Sequence, residues 1–387
     1  MTDASFCISC SGAGIIFNAK GAKTCPKCGG SGKLKPSGLP FKKIVLLGEA
    51  WGAEEARVGL PFVGASGNEL KRMLEEAEIE YHECFPTNVF NLQPQPTNDI
   101  KNLGVAKGES RNPMPAMGKA GNREFYVADA YFPHLERLWK ELDEIRPNLV
   151  VALGNTAMWA LTGNYGIRNM RGTVMESTYG VQGLKVLPTY HPAAVLRDWS
   201  IRAIVVADLM KAKRQSAFPE VRRPSRQIWV DPDLKDIEFF YFNHILKSTK
   251  LSIDIETKGD QITEIGFAPS PNIALVVPFF DHRKKDGSYW PTAHQEKLAV
   301  RWCHRILQHE ERPEIEIVGQ NFLFDANWIW HKLGGTPKNF VRDTMLKHHA
   351  MNPEFEKSLG FLGSIYTDEP AWKTMRSWKN DSTKRGD

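Results

Sequence analysis

Ile44-Val45-Leu46-Leu47 is a short, unbroken apolar run that ends abruptly in Gly48-Glu49-Ala50-Trp51-Gly52. A run of that length bounded by turn-forming residues reads as a strand buried on both faces, the kind found in parallel sheets covered by helices. Pro61-Phe62-Val63-Gly64, Thr87-Asn88-Val89 and Tyr190-His191-Pro192-Ala193-Ala194 likewise set one distinctive side chain just past an apolar stretch. In an open α/β sheet, ligands sit outside the carboxyl ends of the strands, so such residues meet in one crevice although far apart in sequence. A Glu, an aromatic ring, an Asn and a His gathered there suit the recognition of a planar base.

The rest of the chain alternates in the same way. Gly67 to Glu80 reads as a helix with Leu70, Met73, Leu74 and Ala77 on one face, and Glu83 to Val89 as a second strand. Asn91 to Arg123, dominated by Pro, Asn, Gly and Lys, reads as a long loop of the kind that is usually functional or mobile. Phe125 to Ile145 has the period of an amphipathic helix, Leu149 to Gly154 and Lys185 to Thr189 are buried strands, and a helix is expected from there through Leu209. Residues 215–226, with three arginines and two prolines, form the expected linker. Beyond it, Leu251 to Glu256, Ile262 to Phe280 and Glu314 to Gly319 read as strands, and Ala293 to His309 as a helix. The expected domains are therefore 1–40, 41–214 and 227–387, joined by that linker.

At 387 residues the chain is long for one core. Its 42% hydrophobic and 25% charged residues are those of a globular protein, and no apolar run is long enough to span a bilayer. A cytoplasmic setting without a membrane partner is the expectation. A net charge of +5 permits nucleic-acid binding without demanding it. Six cysteines exclude a disulfide scaffold. Four of them, in Cys7-x-x-Cys10-x-Gly-x-Gly14 and Cys25-x-x-Cys28-x-Gly-x-Gly32, repeat one pattern, and two such knuckles make a closed tetrahedral zinc site. Metal binding would supply most of the folding energy of so short a head. The doubled knuckle resembles the zinc region of DnaJ-type chaperones. Cys84 and Cys303 stand alone and suit core positions.

Taken singly, Phe62 suits a core position, Asn88 a turn cap and His191 a structural histidine; Glu49 is harder to place, since a carboxylate after four apolar strand residues is costly if buried unpaired. Taken in order, Gly48-Glu49-Ala50-x-Gly52, Glu54-Glu55, Gly59-x-Pro61-Phe62-Val63-Gly64, Thr87-Asn88-Val89, Arg146-Pro147, Val151 to Gly154, Arg171-Gly172 and Thr189 to Arg197 resemble the motif set of the uracil-DNA glycosylase superfamily, nearest its family 4. The likeness spans Phe41 to Lys213 and implies a three-layer αβα domain acting on uracil in single- or double-stranded DNA. It implies that Phe62 stacks on an everted uracil, Asn88 bonds its edge, and Gly48 and Ala50 offer backbone contacts. Glu49 would hold the attacking water, His191 would stabilise charge on the departing base, and Val195, Leu196 and Arg197 would press on the DNA. Two departures stand out: Trp51 replaces a family Pro, and Leu92 stands where a ligand of the family's iron–sulfur cluster is expected, with no Cys in Asp129 to Pro133. A zinc knuckle, and no such cluster, is the expectation.

Asp254-x-Glu256, followed by Asn321-x-x-Phe324-Asp325, resembles the first two motifs of DEDD-type 3′–5′ exonucleases, as in the proofreading domain of family A DNA polymerases. That resemblance implies a ribonuclease H-like α/β fold and Mg²⁺ or Mn²⁺ held by Asp254, Glu256 and Asp325. The final Tyr-x-x-x-Asp or His-x-x-x-Asp motif is missing, so the domain is incomplete, and a retained fold without catalysis competes with activity completed by another chain. The whole arrangement resembles the amino-terminal part of SPO1-type phage polymerases, implying phage replication or repair in a bacterial host. Three expectations stand: a glycosylase; a non-catalytic uracil- or DNA-binding module serving a DNA polymerase chain; an exonuclease completed by a partner.

Overall fold

The computed structural model describes residues 15–18, 21–24, 41–308, 311–335 and 337–370. The first described elements, β1 (Ile15–Asn18) and β2 (Gly21–Thr24), pair antiparallel as a hairpin. Cys7, Cys10, Cys25 and Cys28, the expected zinc ligands, lie outside the described residues. The chain divides into two compact units, one made of the residues up to Arg222 together with those from Gly363 onward, the other of Arg223–Leu362.

The first unit is built on β3 (Ile44–Ala50), α1 (Ala53–Val58), α2 (Ala65–Glu76), β4 (Phe85–Phe90), β5 (Gly104–Val105), β6 (Gly118–Ala120), β7 (Arg123–Val127), α3 (Phe132–Ile145), β8 (Leu149–Leu153), α4 (Asn155–Thr162), α5 (Ile167–Met170), β9 (Met175–Glu176), β10 (Lys185–Thr189), α6 (Pro192–Arg197) and α7 (Arg202–Gln215). Its main sheet runs β4-β3-β8-β10-β9, parallel except for β9. Alternate side chains of the central strands enter separate cores: Val45, Leu47, Val150 and Ala152 meet Leu135, Leu138 and Trp159 on one face, while Leu46, Val151 and Leu187 meet Leu70, Leu74 and Leu209 on the other. Helices thus cover both faces, which is why these strands read as continuous apolar runs.

Two readings of the sequence need correction here. Arg123–Val127 is a strand, pairing Phe125 with Gly118 and Val127 with Gly104, and the helix starts only at Phe132. Pro133 in its first turn explains the start, since proline has no N–H to give there and needs none. The helix after β10 is broken: Asp198 ends α6 in an extended conformation and caps a short turn, after which α7 continues to Gln215.

A largely buried polar knot ties parts of this unit together. Arg171 donates through Nε to Asp208 Oδ2 at 2.8 Å and through Nη1 to Ser364 Oγ at 2.8 Å, and Thr189 Oγ1 donates to Asp208 Oδ2 at 2.7 Å. Lys211 Nζ donates to Gly172 O at 2.8 Å, to Thr367 O at 2.6 Å and to Ser364 O. Burial lowers its ammonium pKa to about 8.

The second unit contains β11 (Gln227–Trp229), α8 (Leu234–Phe240), β12 (Lys250–Lys258), β13 (Gln261–Ser270), β14 (Ile273–Pro278), α9 (Ala293–Gln308), β15 (Glu316–Gly319), α10 (Leu323–Leu333), β16 (Phe340–Asp343) and α11 (Thr344–Met351); the last helix, α12 (Leu359–Tyr366), contains the point where the chain rejoins the first unit. The six-stranded sheet runs β11-β14-β13-β12-β15-β16. Along β12, Leu251, Ile253 and Ile255 are buried in the core while Lys250, Ser252 and Asp254 are exposed. Among the described residues no helix is long and apolar enough to cross a membrane.

Candidate active site

Register brings the first residues together. Gly48 on β3 lies opposite Asn88 on β4. A Cβ on Gly48 would fall 2.1 Å from Asn88 Oδ1 and 2.8 Å from Phe62 Cζ, so amide, ring and glycine backbone meet at one point that only glycine permits. Phe62 and Asn88 are 4% and 2% exposed. Phe62 has a φ of 56°, a left-handed conformation that is strained for an aromatic residue. Two features hold it there. Glu55 Oε1 accepts from Val63 N at 3.1 Å and Gly64 N at 2.9 Å, tying down the residues that follow the ring. Gly67 admits the Phe62 carbonyl oxygen to 2.0 Å from where its Cβ would stand.

Asn88 is fixed from behind. β4 is an edge strand, and Arg137 from α3 reaches it, donating through Nη2 to Asn88 O at 2.6 Å and Val89 O at 3.1 Å. Glu141 Oε1 accepts from Arg137 Nη1 at 2.6 Å, and Glu141 Oε2 from Thr87 Oγ1 at 3.0 Å.

Glu49 is partly buried, and Thr156 at the start of α4 donates its hydroxyl to Glu49 Oε2 at 2.5 Å. Burial raises the Glu49 pKa; the Thr156 hydrogen bond opposes the rise, Asp99 adds to it, and Arg197 opposes it. His191 caps α6, and its Nδ1 accepts from Ala193 N at 3.2 Å, which assigns the ring proton to Nε2. Burial chiefly, helped by the Arg197 charge and opposed by Glu55, lowers the His191 pKa to about 4.

Trp51 follows Glu49 with its backbone N–H on Leu92 O at 3.1 Å, and its indole N–H is buried without a hydrogen-bond partner. Leu196 and Arg197 are exposed, whereas Val195, on the inner face of α6, is fully buried; it has no surface to offer DNA, which corrects that expectation. Glu55, Thr156, Arg137 and Asp99 were not singled out as individual contributors from the sequence. Glu55 carried a signal, since Glu54-Glu55 belongs to the ordered motif set; the other three lie on helices or the long loop and gave none.

In the second unit, Asp254 is exposed on β12, Glu256 is partly buried two residues on, and Asp325 is buried at the start of α10. Asp325 Oδ1 accepts from Ile255 N at 3.0 Å, and its pKa is raised to about 6 by burial first and then by the charges of Asp254 and Asp343. Asp343 is occupied as a cap: it accepts from Met345 N and Phe322 N at 2.8 Å, and from Asn321 N and Leu346 N at 3.2 Å. Among the described residues no three His, Cys, Asp or Glu side chains are grouped to hold a metal ion. The donor set as arranged therefore does not fit a two-metal centre. Nor is there a set of cysteines for an iron–sulfur cluster among the described residues: Cys84 and Cys303 are both buried, with thiols pushed up to about 12 by desolvation, and Leu92, Tyr131 and Phe132 pack on the core.

A family model of the uracil DNA glycosylase superfamily matches residues 36–217. The type-4 uracil-DNA glycosylase of Thermotoga maritima is 33% identical over 175 residues, 44% of this chain and 76% of that protein. That of Sulfurisphaera tokodaii is 30% identical over 189 residues, 47% of this chain and 74% of that protein. A DNA polymerase of Bacillus phage SP01 is 22% identical over 346 residues, which is 81% of this chain but only 33% of the polymerase. Among solved structures, Brucella melitensis NrnC bound to pGG is similar with a TM-score of 0.27 and 14% identity, over 38% of this chain and 63% of that one. By the family model and by its likeness to the two type-4 enzymes, the chain belongs to the uracil-DNA glycosylase superfamily.

Proposed function

We propose that the first unit hydrolyses the N-glycosidic bond of a uracil extruded from DNA. The observation that carries this reading is the meeting of Asn88 Oδ1 and the Phe62 ring at Gly48, which brings three separated motifs to one point. The Phe62 ring would stack on the base and the Asn88 carboxamide would satisfy the uracil edge while mismatching that of cytosine. The backbone of Gly48 and Ala50 would approach from the same side. Glu49, as carboxylate, would accept a hydrogen bond from the water that attacks C1′. As the C1′–N bond breaks, its electron pair passes to the base, and the Nε2–H of neutral His191 would donate to the developing oxyanion. Leu196 and Arg197 would meet the strand and its phosphates. The attacking water passes its proton to Glu49, the departing uracil anion takes one from solvent, and the products are free uracil and an abasic site.

This chemistry needs no metal. Uracil-containing single- and double-stranded DNA, treated with the protein and then with alkali, is expected to break at uracil, equally with and without EDTA. Intact strands under every condition would refute catalysis and leave a binding module.

The four head cysteines, Cys7, Cys10, Cys25 and Cys28, would hold structural zinc, which metal analysis and the absence of iron–sulfur absorbance would check. We read the second unit as a retained nuclease fold rather than a working exonuclease, because among the described residues no three carboxylates are grouped to hold a metal ion. Shortening of the DNA from its 3′ end on addition of Mg²⁺ or Mn²⁺, in the same assay, would contradict that. The match to a phage polymerase supports a place in DNA replication or repair beside a polymerase chain.

A further inference from the structure

We propose that the indole of Trp199 is a stacking platform for a nucleobase flanking the extruded one in the same DNA strand. The position of that base rests on the glycosylase reading; the stacking itself does not. Trp199 is 61% exposed. A single exposed aromatic residue needs no explanation. What distinguishes this one is how it is held.

Its short turn, Trp199–Ile201, is capped by Asp198, whose Oδ1 accepts from Ser200 N at 3.1 Å and Ser200 Oγ at 2.6 Å. Behind the ring lies the Arg202 guanidinium, 5.1 Å from its centroid. That guanidinium is itself locked, donating through Nε to Glu69 Oε1 at 2.7 Å and through Nη1 and Nη2 to Glu76 at 2.9 and 2.6 Å. A cation fixed by two carboxylates thus backs one face of the indole while the ring remains open to water. Such a ring gives up little further freedom when a base stacks on it, and every base has a face to stack.

Its position suits a bound strand. His191 caps α6 at one end and the Trp199 turn begins at the other. A helix of this length is about 9 Å long. At about 3.4 Å of rise per nucleotide, the indole stands two to three nucleotides from the base that His191 would serve. Between them, Leu196 is 49% exposed and Arg197 carries a cation for the backbone. Alternation of cation and aromatic ring is how single strands are tracked without regard to sequence.

The test compares wild type, Trp199→Ala and Trp199→Phe. Trp199→Ala is expected to weaken binding of a fluorescein-labelled, uracil-free single strand about tenfold, with Trp199→Phe within about threefold of wild type. On a uracil-containing single strand, KM should rise by the same factor while kcat is unchanged. Binding by Trp199→Ala within about twofold of wild type overturns the proposal. Should that variant fail to fold, wild-type protein is irradiated with single strands carrying 5-iodouracil two or three positions from the uracil. An adduct at Trp199 supports the platform, and adducts confined to other residues refute it. A wild type that binds strands but releases no uracil would refute the glycosylase reading alone, because the binding and cross-linking arms still decide on Trp199.

Discussion

Burial pushes Glu49 and His191 toward their neutral forms, and the two shifts act differently on the reaction proposed above. His191 titrates at about 4, so at neutral pH it is an uncharged donor, and it contributes no transition between pH 5 and 9. Glu49 is needed as a carboxylate, yet its pKa is raised, so its inactive protonated form persists above the ordinary glutamate range. The rate is therefore expected to rise with pH through a single acid limb lying above pH 4.5, the unshifted value. Single-turnover rates between pH 4 and 9 check this, and Glu49→Gln should remove the limb together with most of the rate. His191→Ala should lower kcat by about 10²- to 10³-fold with KM nearly unchanged, because its hydrogen bond strengthens only as charge develops. An unchanged kcat in that variant would remove His191 from the mechanism.

At the level of elements, the edge strand β4 is the part most in need of support, since its outer carbonyls have no neighbouring strand. Arg137 donates to the carbonyl oxygens of Asn88 and Val89, neighbouring groups of which only one can face outward. Arg137→Ala should cut kcat/KM on uracil-containing DNA by about tenfold and narrow the preference for uracil over cytosine, as two carbonyls and Glu141 lose a charged partner. Arg137→Lys should recover only part of this, lacking the planar fork. Equal losses on both bases would mean that the clamp serves stability alone. Buried strands such as Ile44–Ala50 and Leu149–Leu153 were legible because their apolar runs admit no other face pattern. The start of α3 was not, because Phe125 and Val127 continue the helical spacing of Phe132, Leu135 and Leu138, and only their pairing across β5 and β6 makes them a strand. The residues assembled around Gly48 were legible as an ordered set of motifs. Their supports, Thr156 and Arg137, look in sequence like ordinary polar positions of helices, since their partners lie far along the chain. Val195 shows the converse error: a motif position assigned to DNA is in fact part of the core.

For the molecule as a whole, the polar knot around Arg171, Asp208 and Lys211 matters most, because part of it comes from Ser364 and Thr367. Ending the chain after Leu362 should destabilise the first unit by about 1.5–3 kcal/mol for each charged hydrogen bond that water does not replace. The melting temperature of the first unit measures this, and no change would show the contact to be dispensable. The route of the chain also carries a temporal consequence. It leaves the first unit at Arg222 and returns at Gly363, so the intervening unit is an insertion. On a ribosome, Arg171 and Lys211 are made long before the acceptors that close over them. The first unit can gain these last hydrogen bonds only after the inserted unit has been synthesised and the returning segment has cleared the exit tunnel.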